Sequence, residues 1–294
     1  MFKQVVVETT SRCNLKCRGC YRDQGDIGNA DMSMETFCKI LEQVNWPCTY
    51  VLFSDGEPFL HPHYGKMLEL ACATGNRVQF CTNGTLWRED VSSVIRENEN
   101  LDNVCVSLDA FRKDTALAIR GTDLEVVEEN VKKFSELPVQ LSVSLTKLGQ
   151  PWDEVEDFIL YWVDRVDMVI IRNYLDNKPF ELPKRYCNYL EGYYLTIKSD
   201  GGIRLCERNM SAPYIGYVDN IKAVKGVIDN YRENFPRGVC KGCTQVYSGT
   251  GQYGQVAFKG SDDFLYFKQD YFNQIYSRYD VKKGLSWEVL QGIA

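Results

Sequence analysis

Three cysteines near the start of the chain carry its strongest chemistry: Cys13, Cys17 and Cys20, in the run Cys13-Asn14-Leu15-Lys16-Cys17-Arg18-Gly19-Cys20-Tyr21. The spacing is C-x3-C-x2-C. Three thiolates on one short loop can hold three irons of a cubane. A [4Fe–4S] cluster normally takes four cysteines, so the fourth iron stays open for a substrate or cofactor. The alternative for the same residues is a structural zinc site. Zinc knuckles pair C-x2-C with a second C-x2-C or with histidines, and this chain offers Cys240 and Cys243 but only two histidines, His61 and His63.

A second set of thiols lies downstream: Cys187, then Cys206, then the C-x2-C pair Cys240 and Cys243. Four cysteines can ligate one further cluster completely, or equally a zinc ribbon. Of the remaining five, Cys38, Cys48 and Cys72 read as small core residues, the usual state of free cysteine. Cys81 and Cys105 sit at the ends of strand patterns, where one could face an interior cavity and donate a hydrogen atom.

The elements that must hold these groups show in the hydrophobic periodicity. Strand patterns cover residues 4–8, 49–54, 77–81, 103–108, 139–145 and 168–172. Helix patterns lie between them at 33–44, 63–73, 88–97, 124–137 and 152–162. The first has Ser33 as its cap, with Thr36, Phe37, Ile40, Leu41 and Val44 on one side. Six strands joined by helices predict parallel strands with right-handed crossovers, and a parallel sheet puts its chemistry at the strands' C-terminal ends. Residues 175–184, with Pro179 and Pro183, read as a linker. A hairpin follows at 193–205, turning at Ser199-Asp200-Gly201-Gly202, and then a helix at 221–230. The last ~50 residues hold no cysteine and are rich in Tyr and Phe. The expected organisation is a barrel-like unit at 1–180, a cysteine-bearing unit at 181–246, and an aromatic segment at 247–294 packing on the barrel.

Composition narrows the classes. Among 294 residues there is no run of about 18 apolar ones, so no membrane span is expected. No secretory signal is visible at the N-terminus. Twelve cysteines without an export signal point to a reducing, cytoplasmic compartment and to metal ligation rather than disulfides. The net charge of −6 and the absence of a basic run disfavour a nucleic-acid surface.

Four short motifs follow successive strands in order. The cysteine triplet follows the first, and Ser54-Asp55-Gly56-Glu57-Pro58 the second. Cys81-Thr82-Asn83-Gly84-Thr85 follows the third, and Ser107-Leu108-Asp109 the fourth. Taken singly, Asn83 and Asp109 read equally well as caps, and Arg120, in Ile119-Arg120-Gly121, as a surface ion pair. Strand alternation puts Cys105, Ser107 and Asp109 on one face.

In this order the motifs resemble those of the radical S-adenosylmethionine (SAM) superfamily, over about residues 1–172. The second motif resembles the family's GGEP with Asp55 in place of the first Gly, the third its TNG and the fourth its S-x-D. The resemblance implies a partial (β/α)6 TIM-like barrel and an open iron that binds the amino and carboxylate groups of SAM. Gly56, Glu57 and Pro58 are implied at the SAM amino group, mostly through backbone carbonyls. Asn83, Ser107, Asp109 and Arg120 are implied around the rest of SAM, and Arg172 at its carboxylate. His61 and His63 are implied in a loop role near the cluster.

The pattern Cys187, Cys206, Gly216, Asn220, Cys240, Cys243 resembles the family's twitch or shortened SPASM extension, a small hairpin-and-helix unit holding one auxiliary [4Fe–4S] cluster. The implied activity is reductive cleavage of SAM to a 5′-deoxyadenosyl radical, which abstracts a substrate hydrogen atom. The auxiliary cluster then removes an electron from the substrate radical. A flavodoxin or ferredoxin is the implied reductant.

The layout is similar to that of the 2-deoxy-scyllo-inosamine dehydrogenase of aminoglycoside biosynthesis, so oxidation of a small molecule is the first expectation. Peptide crosslinking through a thioether or carbon–carbon bond is the second. It lacks support from an N-terminal peptide-recognition module, since the chain starts at its first strand. Epimerisation, with Cys81 or Cys105 returning hydrogen, is a third. A zinc-stabilised binding protein is the non-enzyme alternative.

Overall fold

The computed structural model describes residues 2–20, 22, 28–173, 194–206, 213–233, 254–257 and 265–266. Six strands occur where the periodicity places them: β1 (Gln4–Val7), β2 (Thr49–Val51), β3 (Arg77–Thr82), β4 (Leu101–Ser107), β5 (Gln140–Lys147) and β6 (Met168–Asn173). Each pairs in parallel with the next, with Val5 opposite Tyr50, Tyr50 opposite Val78, and Cys81 opposite Cys105. The sheet is open, a partial TIM-like barrel of mostly parallel α/β character. β2 is three residues shorter than expected, because the chain leaves the ladder after Leu52 and bends through 53–56 toward the site.

Helices α1 (Met34–Gln43), α2 (Tyr64–Ala73), α3 (Glu89–Glu97), α5 (Leu124–Ser135) and α6 (Trp152–Trp162) match the expected ones. Ser33 caps α1 by accepting from the Thr36 N–H at 3.0 Å, and Phe37 and Ile40 on its apolar side are fully buried. Burying each such side chain contributes roughly 1.5–3 kcal/mol. The sequence pattern expects five helices between the six strands. The structure adds a sixth, α4 (Lys113–Arg120). It ends at Gly121, whose φ of 67° gives the left-handed stop that glycine adopts most readily. Its start is held from elsewhere: the buried Glu154 carboxylate of α6 accepts from the Phe111 and Arg112 N–H groups, both at 3.0 Å.

Beyond residue 193 the expected hairpin forms as β7 (Tyr194–Ile197) and β8 (Gly202–Arg204). β9 (Tyr214–Tyr217) and α7 (Ile221–Glu233) follow. β7 pairs in parallel with β1, with Val7 opposite Ile197, so the hairpin continues the barrel's own sheet. At the other edge β10 (Gly254–Ala257) pairs antiparallel with β6, and β11 (Leu265–Tyr266) with β10. Among the described residues no helix is long and apolar enough to cross a membrane.

Candidate active site

The cysteine loop leaves β1 and is strapped down on both sides. Arg12 pairs with Asp31 at 2.7 Å and donates to the Leu60 carbonyl at 2.6 Å, while its own carbonyl accepts from the Glu57 N–H at 2.7 Å. The Arg18 N–H donates to the Ile119 carbonyl at 2.7 Å, which ties the loop to the end of α4. Gly19 turns the chain with φ 74°, so Cys20 closes back on Cys17 (N–H to carbonyl, 3.1 Å). The three thiols form no disulfide, are half-buried, and all line one cavity at the C-terminal ends of the strands. Burial pushes the Cys17 thiol up to about 11, with the nearby Arg120 charge opposing.

The second motif is organised by a side chain. Glu57 is buried, and its carboxylate accepts from the Phe59 N–H (3.1 Å), Thr82 Oγ1 (2.8 Å) and the Asn83 N–H (2.6 Å). Burial raises its pKa, and these donors oppose the rise. One carboxylate therefore fixes the loops after β2 and β3 against each other. Gly56 permits the close approach, since a Cβ there would lie 2.2 Å from the Thr10 carbonyl oxygen and 2.7 Å from that of Arg12. Pro58 does not line the cavity. It opens a 3₁₀ turn (Pro58–Leu60) and is buried there. His61 is buried behind this turn. Its Nδ1 accepts from the His63 N–H, which leaves Nε2–H to donate to the Met32 carbonyl at 2.9 Å.

Asn83 caps no helix. Its Nδ2 donates to Asn14 Oδ1 in the cysteine loop (2.9 Å), and its Oδ1 accepts from the Thr85 N–H (2.9 Å). Asp109 also differs from the expectation drawn from alternation. β4 ends at Ser107, and the Leu108 and Asp109 N–H groups both donate to the Ser144 carbonyl. Asp109 then takes φ 57°, and among the described residues it alone of the non-glycines is left-handed. That turn, and not the pleat, aims its carboxylate at Arg120 and at the Thr146 N–H (2.6 Å).

Arg120 is buried rather than superficial. Burial opposes its charge, but Asp109 and Cys17 outweigh that and its pKa is raised. Its buried Nε has no hydrogen-bond partner among the described residues. An orphaned guanidinium donor in a cavity suits a carboxylate.

Cys13, Cys17, Cys20, Gly56, Glu57, Cys81, Asn83, Ser107, Asp109, Arg120 and Arg172 all line this one cavity. Cys105 does not; it is buried beside Cys81, Ile170 and Phe53. The Cys81 and Cys105 thiols lie opposite one another across the β3/β4 pair. That contact raises Cys81 well above the ordinary thiol range and lowers Cys105, whose charge Arg172, Ser142 and Ser144 also favour. Sequence reasoning missed Asp55, Thr82, Thr146 and Leu148 as lining residues. Cys206, just past β8, is half-buried against the core. Cys187, Cys240 and Cys243 lie outside the described residues.

The residues present fit the groups that the motifs imply. Three thiols on one cavity suit three irons, and Arg120 holds an unpaired buried donor. A model of the radical SAM superfamily matches residues 7–161, more than half of the chain. The chain belongs to the radical SAM superfamily. It is therefore an enzyme of the class that uses a [4Fe–4S] cluster and SAM.

It is 27% identical over 154 residues to AlbA, the antilisterial bacteriocin subtilosin biosynthesis protein of Bacillus subtilis, an alignment covering 51% of this chain and 34% of AlbA. The chain spans about a third to a half of the length of the curated relatives it matches. Among solved structures it resembles Streptococcus suis SuiB bound to S-adenosylmethionine, with a TM-score of 0.63, 14% identity, and coverage of 83% of this chain and 72% of SuiB. It also resembles BtrN in complex with AdoMet and 2-DOIA, with a TM-score of 0.53, 14% identity, and coverage of 90% and 99%. At these identities the structural likeness establishes the radical SAM partial barrel.

Proposed function

We propose that this radical SAM enzyme oxidises its substrate by removing a hydrogen atom at the cavity, an electron through an auxiliary [4Fe–4S] cluster and a proton to a base. The observation that carries this reading is the convergence of Cys13, Cys17 and Cys20 with Gly56, Asn83, Ser107 and Arg120 on one cavity. The cluster and SAM, when bound, supply a 5′-deoxyadenosyl radical by one-electron reductive cleavage. The chain's own residues do the rest. Cys13, Cys17 and Cys20 hold three irons. The carbonyls of 54–57, fixed by the Glu57 carboxylate, accept from the SAM ammonium. Arg120, with its free Nε, and Arg172 hold the carboxylate. Ser107 and Asn83 meet the remaining polar atoms. The apolar Phe53 and Leu148 exclude water beside them.

Cys187, Cys206, Cys240 and Cys243 would hold the auxiliary cluster. Iron–sulfur potentials span about −700 to +450 mV, so a second cluster tuned higher can accept the substrate radical's electron. A small-molecule alcohol is the substrate class of this reading, supported by BtrN, whose complex holds 2-DOIA and whose fold corresponds over nearly its whole length. Peptide crosslinking is the second reading, supported by AlbA and by SuiB, which is also solved with its precursor peptide SuiA. A flavodoxin or ferredoxin would deliver the reducing electron. The twelve cysteines favour a reducing cytoplasm for either reading.

Replacing both Cys240 and Cys243 with alanine separates the steps. SAM cleavage is expected to persist in part while substrate turnover stops, measured as 5′-deoxyadenosine against product. Turnover at the wild-type rate in that variant would end the electron-acceptor reading.

We assign Cys81 and Cys105 to a hydrogen-return role in the epimerising alternative, because Cys81 lines the cavity and Cys105 is buried directly behind it. Under that alternative, Cys81→Ala abolishes deuterium uptake from D2O into product while leaving 5′-deoxyadenosine formation intact. Under net oxidation, product carries no solvent deuterium in either protein.

A further inference from the structure

Asp55 stands where the family motif has glycine, and its side chain has a definite partner. Lys198 follows directly on β7, where the Glu8 N–H donates to the Ile197 carbonyl at 2.8 Å, so Glu8 and Lys198 emerge side by side at the sheet's functional edge. The Lys198 ammonium donates to Glu8 Oε1, to Asp55 Oδ2 at 2.6 Å and to Ser54 Oγ at 3.3 Å, which uses all three of its N–H groups. The second Glu8 oxygen accepts from the Ser199 N–H (3.0 Å) and Oγ (2.9 Å). The three charged side chains are only 6%, 2% and 8% exposed. Burial pulls the ammonium down, but Glu8 and Asp55 outweigh it and the net shift is upward. Two carboxylates against one ammonium leave one negative charge in excess at the cavity edge, where Ser54, Asp55 and Gly56 line the wall.

A desolvated triad of this kind is a poor source of stability compared with packed apolar residues. It does fix position. It clamps Ser54 and Asp55, on the segment whose carbonyls the proposed function gives to the SAM ammonium, to a residue about 140 positions further along the chain. We propose that Lys198 is a positioning residue for SAM, acting through Asp55 to hold segment 54–57 in its ammonium-binding form and so coupling β7 to cofactor affinity. This rests on the reading of the cavity as a SAM site.

The test is SAM binding by equilibrium dialysis to the anaerobically reconstituted full chain, for wild type, Lys198→Met, Asp55→Asn and the double variant, with amide exchange over 54–57 as a second readout. Each single change is expected to raise the Kd for SAM about tenfold, because each breaks the Lys198–Asp55 ion pair that holds the segment. The double variant should bind no worse than the weaker single, because the residues act as a unit. Lys198→Arg should recover part of the affinity. In Lys198→Met, amide exchange over 54–57 should be faster, and cleavage at saturating SAM should fall less than the affinity does. Asp55→Asn keeps the side-chain shape and gives a reading if Lys198→Met does not fold. Unchanged Kd in both singles, or effects that multiply in the double, would overturn the proposal and leave the SAM site standing. A wild-type protein that binds no SAM would overturn both.

Discussion

Cys17→Ala is expected to reduce 5′-deoxyadenosine formation to background and to remove about four irons per chain. Cys17 is the central member of the triplet. Its loop is held at Arg18 by the Ile119 carbonyl and at Cys20 by the Cys17 carbonyl, so no other thiol can swing in to replace it. Cys81 lines the same cavity but is fixed on β3 opposite Cys105. With two thiolates left, the cubane lacks a ligand on a second iron. The protein should still fold, because Cys17 is half-buried and stands outside the main hydrophobic core. Far-ultraviolet circular dichroism should therefore match wild type while the iron signal and SAM cleavage are lost together. Retained cleavage with a full iron count would show that the triplet is not the ligand set.

Glu57→Ala should be the most damaging single change away from the thiols. It leaves the Phe59 and Asn83 N–H groups and the Thr82 hydroxyl without their buried acceptor. One such orphaned group costs about 1–3 kcal/mol, and alanine also leaves a void, so a loss of about 3 kcal/mol or more is expected. For a chain of this size that lowers the melting temperature by roughly 6–12 °C. SAM binding should fall with it, since the same carboxylate sets the loops after β2 and β3. Glu57→Gln keeps one acceptor oxygen and should recover a fraction of both. Thermal melts together with SAM titrations on the reconstituted protein decide it. A melting temperature within 2 °C of wild type for Glu57→Ala would contradict the role given to this carboxylate.

These two residues also mark what the sequence displayed and what it hid. The cysteine spacing and the order of the four motifs were readable because each lies within a few residues of a strand end. Five of the six barrel helices were readable from apolar periodicity. α4 was not, because its eight residues bury only Ala116, Ile119 and Arg120, and its start is capped by Glu154, 42 residues away from Arg112. The Gly121 stop after a basic last turn was the available signal.

Glu57 was legible as a motif member, but its inward carboxylate depends on the β2/β3 register. Asp55 looked like a mere departure from the pattern, because Lys198 lies 143 residues on and a period-two strand does not announce its partner. The parallel pairing of β7 with β1 was hidden for the same reason. Asp109 lines the cavity for a reason that alternation alone does not supply. Alternation carries the chain to Ser107, and a left-handed residue does the rest.

The most direct measurement is anaerobic reconstitution with iron and sulfide, followed by iron counting and a 5′-deoxyadenosine assay with SAM and dithionite. About eight irons per chain, as two four-iron clusters require, with 5′-deoxyadenosine formed, is the expected result. Zinc in place of iron, with no cleavage of SAM, would contradict it.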